Sequence, residues 1–376
     1  MRPTPSLVIV HVVFSSRIAG GEQHCIDLAH AQQALGHEVH VVGPSRSALP
    51  AALEPGVRYH GLALPLLRGA RLQRLVRRLG AQLCHGHLGP ACKAVAQLGG
   101  CVRIGTLHVG YKAHQHARLD GLICVNRAQA LQLAGYGGEH RVIYNWAPQR
   151  PALPASQGLR AELGLRPEQL LVGSVGRLHP SKGMDLLVRA FKAHAPREAV
   201  LAILGEGRQR QELERLAGGD ARIRLLGFRR DVDAALLGMD LFVSPSREEA
   251  FPLAMLEAMR AGLPIVATAT QGPREMLLGQ PAAALVPLAD VPALGRALED
   301  ALAGLGRCEH AERPRIAYDL GRYERGRAVD QVLGFYAELL QRRRERLATA
   351  TGRTTGAAIT AMAEDAPQRQ PVALHV

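Results

Sequence analysis

Glu257 sits in "SREEAFPLAMLEAMRAGLPIVAT", residues 246–268, among Leu253, Met255, Leu256, Ala258 and Met259. The run reads as a helix that is apolar on nearly every side. A carboxylate buried in such a helix is costly unless hydrogen-bond donors meet it, and a ribose diol offers two. Glu249 lies upstream, just ahead of Pro252, whose fixed φ and missing N–H suit a first helical turn. A helix starting at Pro252 leaves the N–H groups near Phe251, Leu253 and Ala254 open at the carboxyl end of the strand "MDLFVSPS". Such an end binds phosphate groups through unpaired donors and the positive pole of the helix. A simpler reading has Glu249 favouring the helix dipole and Glu257 pairing with Arg260 three residues on. Spacing alone does not separate the two.

"SVGRLHPSKG" presents Arg177 and Lys182 on one glycine-containing loop after a strand. Two cations there could meet a diphosphate from the side opposite the helix end. The spacing of a P-loop is absent. "GEGRQR" supplies Gly205 and Gly207 but no third glycine, so the dinucleotide fingerprint fails and no nicotinamide cofactor is expected. "DVD", Asp231 to Asp233, is read as the start of a short helix with Asp231 as its N-cap rather than as a metal site. "LCHGHLGPAC" brings Cys84, His85, His87 and Cys92 close in sequence, without a known ligand spacing, and reads as a strand running into a turn. The six cysteines are scattered with no C-x-x-C pair, as expected of reduced thiols in a cytosol. No metal is expected.

These residues need elements to hold them. From residue 6 onward "LVIVHVVF", "HEVHVVGP", "QLCHGH", "CVRIGTLH" and "GLICVN" alternate with helical patterns, the first helix running from about Glu22 to Leu35. After a Pro-rich pause the series restarts with "LLVGSVGRL", "AVLAILGEG", "RIRLLGFR", "MDLFVSPS", "PIVAT" and "AALVPL". The fold class is α/β, with two doubly wound parallel-sheet domains facing a central cleft. The expected boundaries are residues 1–147 for the first domain, 148–168 for a linker and 169–317 for the second domain. A C-terminal helix over 318–346 packs back across the domains, and a tail over 347–376 lacks apolar periodicity and reads as disordered.

The series "GRLHPSKGMDLL", "LGEGRQRQEL", "LLGFRRDV" and "SREEAFPLAMLEAMRAGLPIVAT" resembles the donor domain of family 4 retaining glycosyltransferases with the two-domain GT-B fold. The resemblance covers most of residues 6–340 and is strongest over 172–276. It implies that Arg177 and Lys182 grip the diphosphate of a nucleotide-sugar donor, that Glu257 holds the ribose and that Glu249 lies beside the donor sugar. Main-chain groups around Phe228 and Arg229 would touch the base, with Ala250, Phe251, Pro252 and Leu253 completing the donor site. The first domain matches through "AGGEQH", "GTLHVGY" and "VIYNWAP". Gly20 and Gly21 would let the main chain approach the phosphates and the sugar, and His108 would stand at the donor sugar. Catalysis would then rest on His108, Glu249, Arg177 and Lys182, with no metal and with front-face attack by the acceptor hydroxyl. Two positions depart from the family: Ala250 replaces a usual Gly, and Asn145–Trp146 a usual Asn-Gly.

The net charge of +13 is uneven. Residues 1–150 hold 16 Lys and Arg against 6 Asp and Glu, so +10 lies in the first domain. Such a field attracts anionic partners. Aromatics make up 4% of the chain and do not interleave with the arginines, so nucleic acid is not expected. "LLRGARLQRLVRRLG" sets Arg68, Arg71, Arg74 and Arg78 near helical spacing with Leu67, Leu72, Leu75, Val76 and Leu79 between them. That pattern fits either a solvated face or a contact with anionic headgroups or a phosphorylated acceptor. The resemblance makes the first domain the acceptor side, and the acceptor a glycan or lipid-linked glycan such as a lipopolysaccharide precursor. No run suits a signal peptide or a membrane span, so the chain is expected in the cytoplasm, with the inner membrane face as its place of contact. Two further readings stay open: an epimerase of the same fold acting on a nucleotide sugar, and a catalytically silent carbohydrate- or nucleotide-binding partner.

Overall fold

The computed structural model describes residues 6–63, 67–147, 158–306 and 308–364. In the first domain, strands β1 (Val8–Val13), β2 (Glu38–Pro44), β3 (Arg58–Leu62), β4 (Leu83–His87), β5 (Val102–Leu107), β6 (Gly121–Cys124) and β7 (Glu139–Val142) form one sheet. Its order is β3-β2-β1-β4-β5-β6-β7, and the pairings are parallel. Helices α1 (Gly20–Ala34), α2 (Arg68–Arg78), α3 (Gly89–Val95), α4 (Ala113–His116) and α5 (Arg127–Leu131) connect the strands. The second domain opens with α6 (Gly158–Glu162) and strand β8 (Leu170–Val175), followed by β9 (Ala199–Leu204), β10 (Ile223–Gly227), β11 (Leu241–Ser244), β12 (Ile265–Thr268) and β13 (Ala283–Val286). These form a parallel sheet in the order β10-β9-β8-β11-β12-β13. Helices α7 (Met184–His194), α8 (Arg210–Ala217), α9 (Val232–Leu237), α10 (Leu253–Arg260), α11 (Gln271–Leu277) and α12 (Val291–Gly304) complete it.

The expected α/β architecture of two doubly wound domains is what the chain adopts. The central strands β1, β8, β9 and β11 are mostly apolar runs because both faces are covered by helices, whereas β4, "LCHGH", is equally buried but carries two histidines. The edge strands β3 and β7, "RYHGL" and "EHRV", carry polar and charged residues and alternate poorly. In each sheet the strand order reverses once, between β1 and β4 and between β8 and β11. The loops leaving those four strands therefore flank the crevices where doubly wound sheets hold ligands.

Residues 148–157 of the expected linker lie outside the described residues, and 158–168 contain α6. The last helix, α13 (Arg325–Glu364), is longer than expected. It covers 347–364, where disorder was anticipated, and residues 365–376 lie outside the described residues. Although α13 follows the second domain in sequence, it docks on the first. Val332, Phe335, Tyr336 and Leu339 are buried there with Ile9, Leu28, Leu83, Ile104 and Trp146. Trp146, one of the two departures, thus fills the seam between α1, the end of the first domain and α13.

Candidate active site

Four turns converge where the two sheets face each other. After β1, helix α1 begins at Gly20 behind Ala19, an N-cap residue with no side chain to accept a hydrogen bond. Glu22 reaches back to the Ala19 N–H at 3.0 Å, so the amides of the first turn keep no side-chain cap. After β11, the N–H groups of Met255 and Leu256 bond to Pro252 O at 3.1 and 3.2 Å, leaving those of Leu253 and Ala254 ahead of the first helical bond. Pro252 is therefore the N-cap of α10, in extended conformation, and not its first helical residue as expected. Its ψ of 102° lies outside the helical range, so the helix starts one residue later. The two helix starts meet: a Cβ on Gly20 would sit 3.5 Å from Leu253 Cδ1. Two positive helix poles from different domains thus face one space.

Cations come from the loop after β8. Lys182 forms an ion pair with Glu249, both side chains being largely buried. Arg177 is exposed, with no side-chain partner among the described residues. The charges of Arg208, Arg177 and Lys182 act on the one imidazole of His179, whose pKa is lowered first by burial and then by these cations. The loop is held by close approach. Gly183 adopts φ +62°, and a Cβ on it would lie 2.0 Å from Pro245 O, which only glycine tolerates. Arg247 then clamps Asp185 at 2.7 Å and Pro180 O at 2.9 Å. Lys182 and Glu249, 67 residues apart, are brought together in this way.

Other expected site residues have mixed placements. Glu257 is 4% exposed within α10, as its apolar neighbours demand. Phe228 is exposed after β10, whereas the Arg229 guanidinium is tied to Glu162 at 2.8 Å and Asp231 at 2.6 Å, leaving its main chain as the group available to a ligand. That ion pair also corrects the reading of Asp231: it occupies the N-cap position of α9 without capping it, because Arg229 takes its carboxylate. The Phe251 side chain does not face the cleft. It packs against Tyr144 and Tyr323, with ring centroids at 6.2 and 5.6 Å, since an exposed aromatic there would forgo burial. Ala250 is buried, and its carbonyl accepts from Asn126 Nδ2 at 2.8 Å, a direct tie between the domains. Of the basic helix α2, Arg74, Arg77 and Arg78 are exposed, while Arg68 turns onto the Phe14 ring at 4.8 Å.

His108 follows β5 and lies over the start of α1. A Cβ on Gly21 would stand 3.4 Å from His108 Cγ and 3.0 Å from Leu88 Cδ2, so the ring and Leu88 pack closely on the first turn of α1. Beside it a pocket of about 160 Å³ is lined by Leu88, Gly89, Thr106, Lys112 and Gln115 together with His108. Behind His108 lies a group that sequence reading missed. Among the described residues, His11, His24, His85 and His87 are buried together against Gln32, Trp146 and Tyr336. The residues of "LCHGHLGPAC" are split by the sheet: Cys84 and Cys92 join the core on one face, and His85 and His87 project to the other. Two triads bring metal-ligating atoms within 4.8 Å of one another, His11/Cys25/His87 and His24/His87/His108. Both run through His87, whose Nε2 is 3.0 Å from His11 Nδ1 and whose Nδ1 is 3.2 Å from His108 Nε2. Burial pushes the Cys25 thiol up, so that it stands protonated beside His11 and His87. The geometry is that of a hydrogen-bonded imidazole chain.

Two doubly wound domains with helix poles, cations and carboxylates at their facing carboxyl ends define the GT-B class of transferases. Residues 18–148 match the family described as Glycosyltransferase Family 4, and residues 169–304 that described as Glycosyl transferases group 1. The lipopolysaccharide core biosynthesis mannosyltransferase LpsB of Rhizobium meliloti is 30% identical over 71% of this chain and 78% of its own. LpsD of the same organism, a lipopolysaccharide core biosynthesis glycosyltransferase, is 25% identical over 77% and 86%. In fold the chain is similar to Anabaena HepE in complex with UDP and glucose, with TM-score 0.71 and 19% identity over 88% of this chain and 99% of that one. It is also similar to WaaG, a glycosyltransferase involved in lipopolysaccharide biosynthesis, with TM-score 0.63 and 18% identity over 78% and 90%. The chain belongs to the family 4, group 1 glycosyltransferases.

Proposed function

We propose that this glycosyltransferase moves a hexose-type unit, with retention, from a nucleotide diphosphate sugar to a glycan or lipid-linked acceptor of lipopolysaccharide or surface polysaccharide synthesis. The observation that carries the reading is the meeting of two helix starts, Gly20 and Leu253, beside the Lys182–Glu249 pair. Two poles and a lysine supply the positive charge that a departing diphosphate requires. Arg177 adds a second cation, and Glu257 holds the ribose. In this reading the transfer needs no metal, because fixed donors and cations carry the charge a metal would otherwise balance. His108 and Glu249 border the sugar. The relatives' part in lipopolysaccharide core synthesis supports the acceptor class.

Exposed Arg74, Arg77 and Arg78 on α2 extend the reading to anionic membrane surfaces. No helix among the described residues is long and apolar enough to cross a membrane. Retention on liposomes containing anionic lipid at low salt, lost when these arginines become serine, is the expected result; equal recovery of both proteins would remove this part.

Thermal stabilisation by UDP, GDP, ADP and their sugar conjugates, all in EDTA, tests the donor site. One nucleotide raises the melting point, since a ligand of the native state alone stabilises it, and Glu257→Ala and Arg177→Ala both weaken the effect. The exposed Arg177→Ala variant guards against misfolding of the buried one. No stabilisation of the wild type by any nucleotide would overturn the donor reading, and products that retain the nucleotide would favour an epimerase.

A further inference from the structure

The imidazoles behind His108 form a chain with a defined direction. His11 Nε2 lies 2.7 Å from Gln32 Oε1, His11 Nδ1 lies 3.0 Å from His87 Nε2, and His87 Nδ1 lies 3.2 Å from His108 Nε2. Burial holds His11 and His108 at about 4 and His87 well below its ordinary value. Each ring is therefore neutral near pH 7 and carries a single N–H. With Gln32 Oε1 facing His11, an acceptor that cannot donate, the proton of His11 is assigned to Nε2 and its Nδ1 is bare. That bare nitrogen takes the Nε2–H of His87, whose bare Nδ1 in turn takes the Nε2–H of His108. Every proton points inward, and His108 is left with Nδ1 as a pure acceptor.

The other edge of the ring agrees with this assignment. The Cγ–Cδ2 edge of His108 lies against Gly21 and Nε2 faces His87, so Nδ1 and Cε1 form the edge left for a ligand. Nδ1 has no hydrogen-bond partner among the described residues and is not among the fully enclosed polar atoms left without one, so it is not sealed off from a ligand. At its inner end the chain stops on Gln32, fully buried like His11. A chain closed to water at that end cannot carry protons out of the site; it can only fix which nitrogen of His108 holds the hydrogen. The neighbouring branch, His85 with Tyr336 and Thr106 at 2.6 and 2.7 Å, does not include His108.

We infer that Gln32, His11 and His87 are positioning residues that lock His108 as its Nε2–H tautomer, so that Nδ1 receives a hydroxyl hydrogen of the transferred sugar. The second half of this statement rests on the donor reading above; the first does not. A sugar presenting a hydroxyl at that point would be accepted, and its analogue with the hydroxyl removed would be rejected, because a bare acceptor would be left unpaired.

Histidine labelled with nitrogen-15 in the full chain separates the two halves. Two-bond proton–nitrogen correlations, with His108→Asn to assign the signal, read the tautomer without any donor present. The expected spectrum shows His108 Nε2 protonated and Nδ1 unprotonated throughout pH 6–8. Gln32→Leu converts this to a mixture of tautomers, while Thr106→Val, which removes the partner of His85 Nε2 on the other branch, leaves it unchanged. A mixed or Nδ1–H signal in the wild type, or a Gln32→Leu spectrum identical to it, would overturn the lock. With the lock established, Gln32→Leu is expected to raise donor KM severalfold more than it lowers kcat. An unchanged KM would refute the sugar contact and leave the tautomer assignment standing.

Discussion

The site's chemistry is concentrated in few side chains. Lys182 is paired with Glu249, so on the proposed donor reading a diphosphate would have to draw the ammonium away from a partner already in place. A hydrogen bond to a charged group contributes about 1.5–3 kcal/mol, and Lys182→Ala is accordingly expected to raise donor KM roughly 10-fold or more. Initial rates over a donor series check this, and an unchanged KM would take Lys182 out of the donor site. Lys182, Arg177 and Glu257 were legible as candidates in the sequence because each stands in a short local pattern, a cation pair on one loop or a carboxylate in an apolar helix, and Glu249 because it stands just ahead of a helix start. The histidine chain was not, because its members come from β1, β4 and the turn after β5 and meet only through sheet register. His11 pairs with His85, and Val13 with His87. One signal was present all the same: 12 of the 16 histidines fall within residues 1–150.

The elements show the same division between local and remote causes. Continuous apolar runs disclosed β1, β8, β9 and β11, while β3 and β7 escaped because an edge strand needs only one buried neighbour and tolerates Arg58, His60, Glu139 and Arg141. The start of α10 was misplaced by one residue since Pro suits both the cap and the first turn. Phe251 was read as a lining residue because nothing nearby foretells Tyr323, 72 positions on, as its partner. Gly183 carries the most direct test at this scale. A left-handed residue with a side chain costs about 1–2 kcal/mol before any clash, and the Pro245 carbonyl adds one. Gly183→Ala should therefore lower the melting point by several degrees and weaken donor binding together, as the loop holding Lys182 shifts. A variant with wild-type melting and binding would show that the loop does not need this backbone.

At the scale of the whole molecule, the first domain holds a group of buried histidines neutral and relies on a helix from the far end of the chain. His11, His108 and His116 have folded-state values near 4, below the ordinary 6.5. The unfolded chain therefore binds more protons between those limits, and stability present above about pH 6.5 is lost as the pH falls toward 4. Denaturant melts at pH 7.5 and 5 should differ markedly, with proton uptake on unfolding at the lower pH; equal midpoints would contradict the buried neutral state. Leu339 on α13 is 1% exposed and lies against Gly121 of β6. Leu339→Ala should cost about 2–5 kcal/mol, read as faster amide exchange in β5 and β6 while β8 to β12 stay protected. Because α13 returns to the first domain, the polypeptide crosses between the domains twice, once out of residue 147 and once into Arg325. The second domain is thereby an insert within the first and not its successor. A fragment ending at 147 would expose the apolar surface that α13 covers, whereas residues 1–147 fused by a short linker to 325–346 would be the smallest piece with a closed core. Two covalent crossings also mean that cutting the chain at one of them leaves the two domains joined through the other.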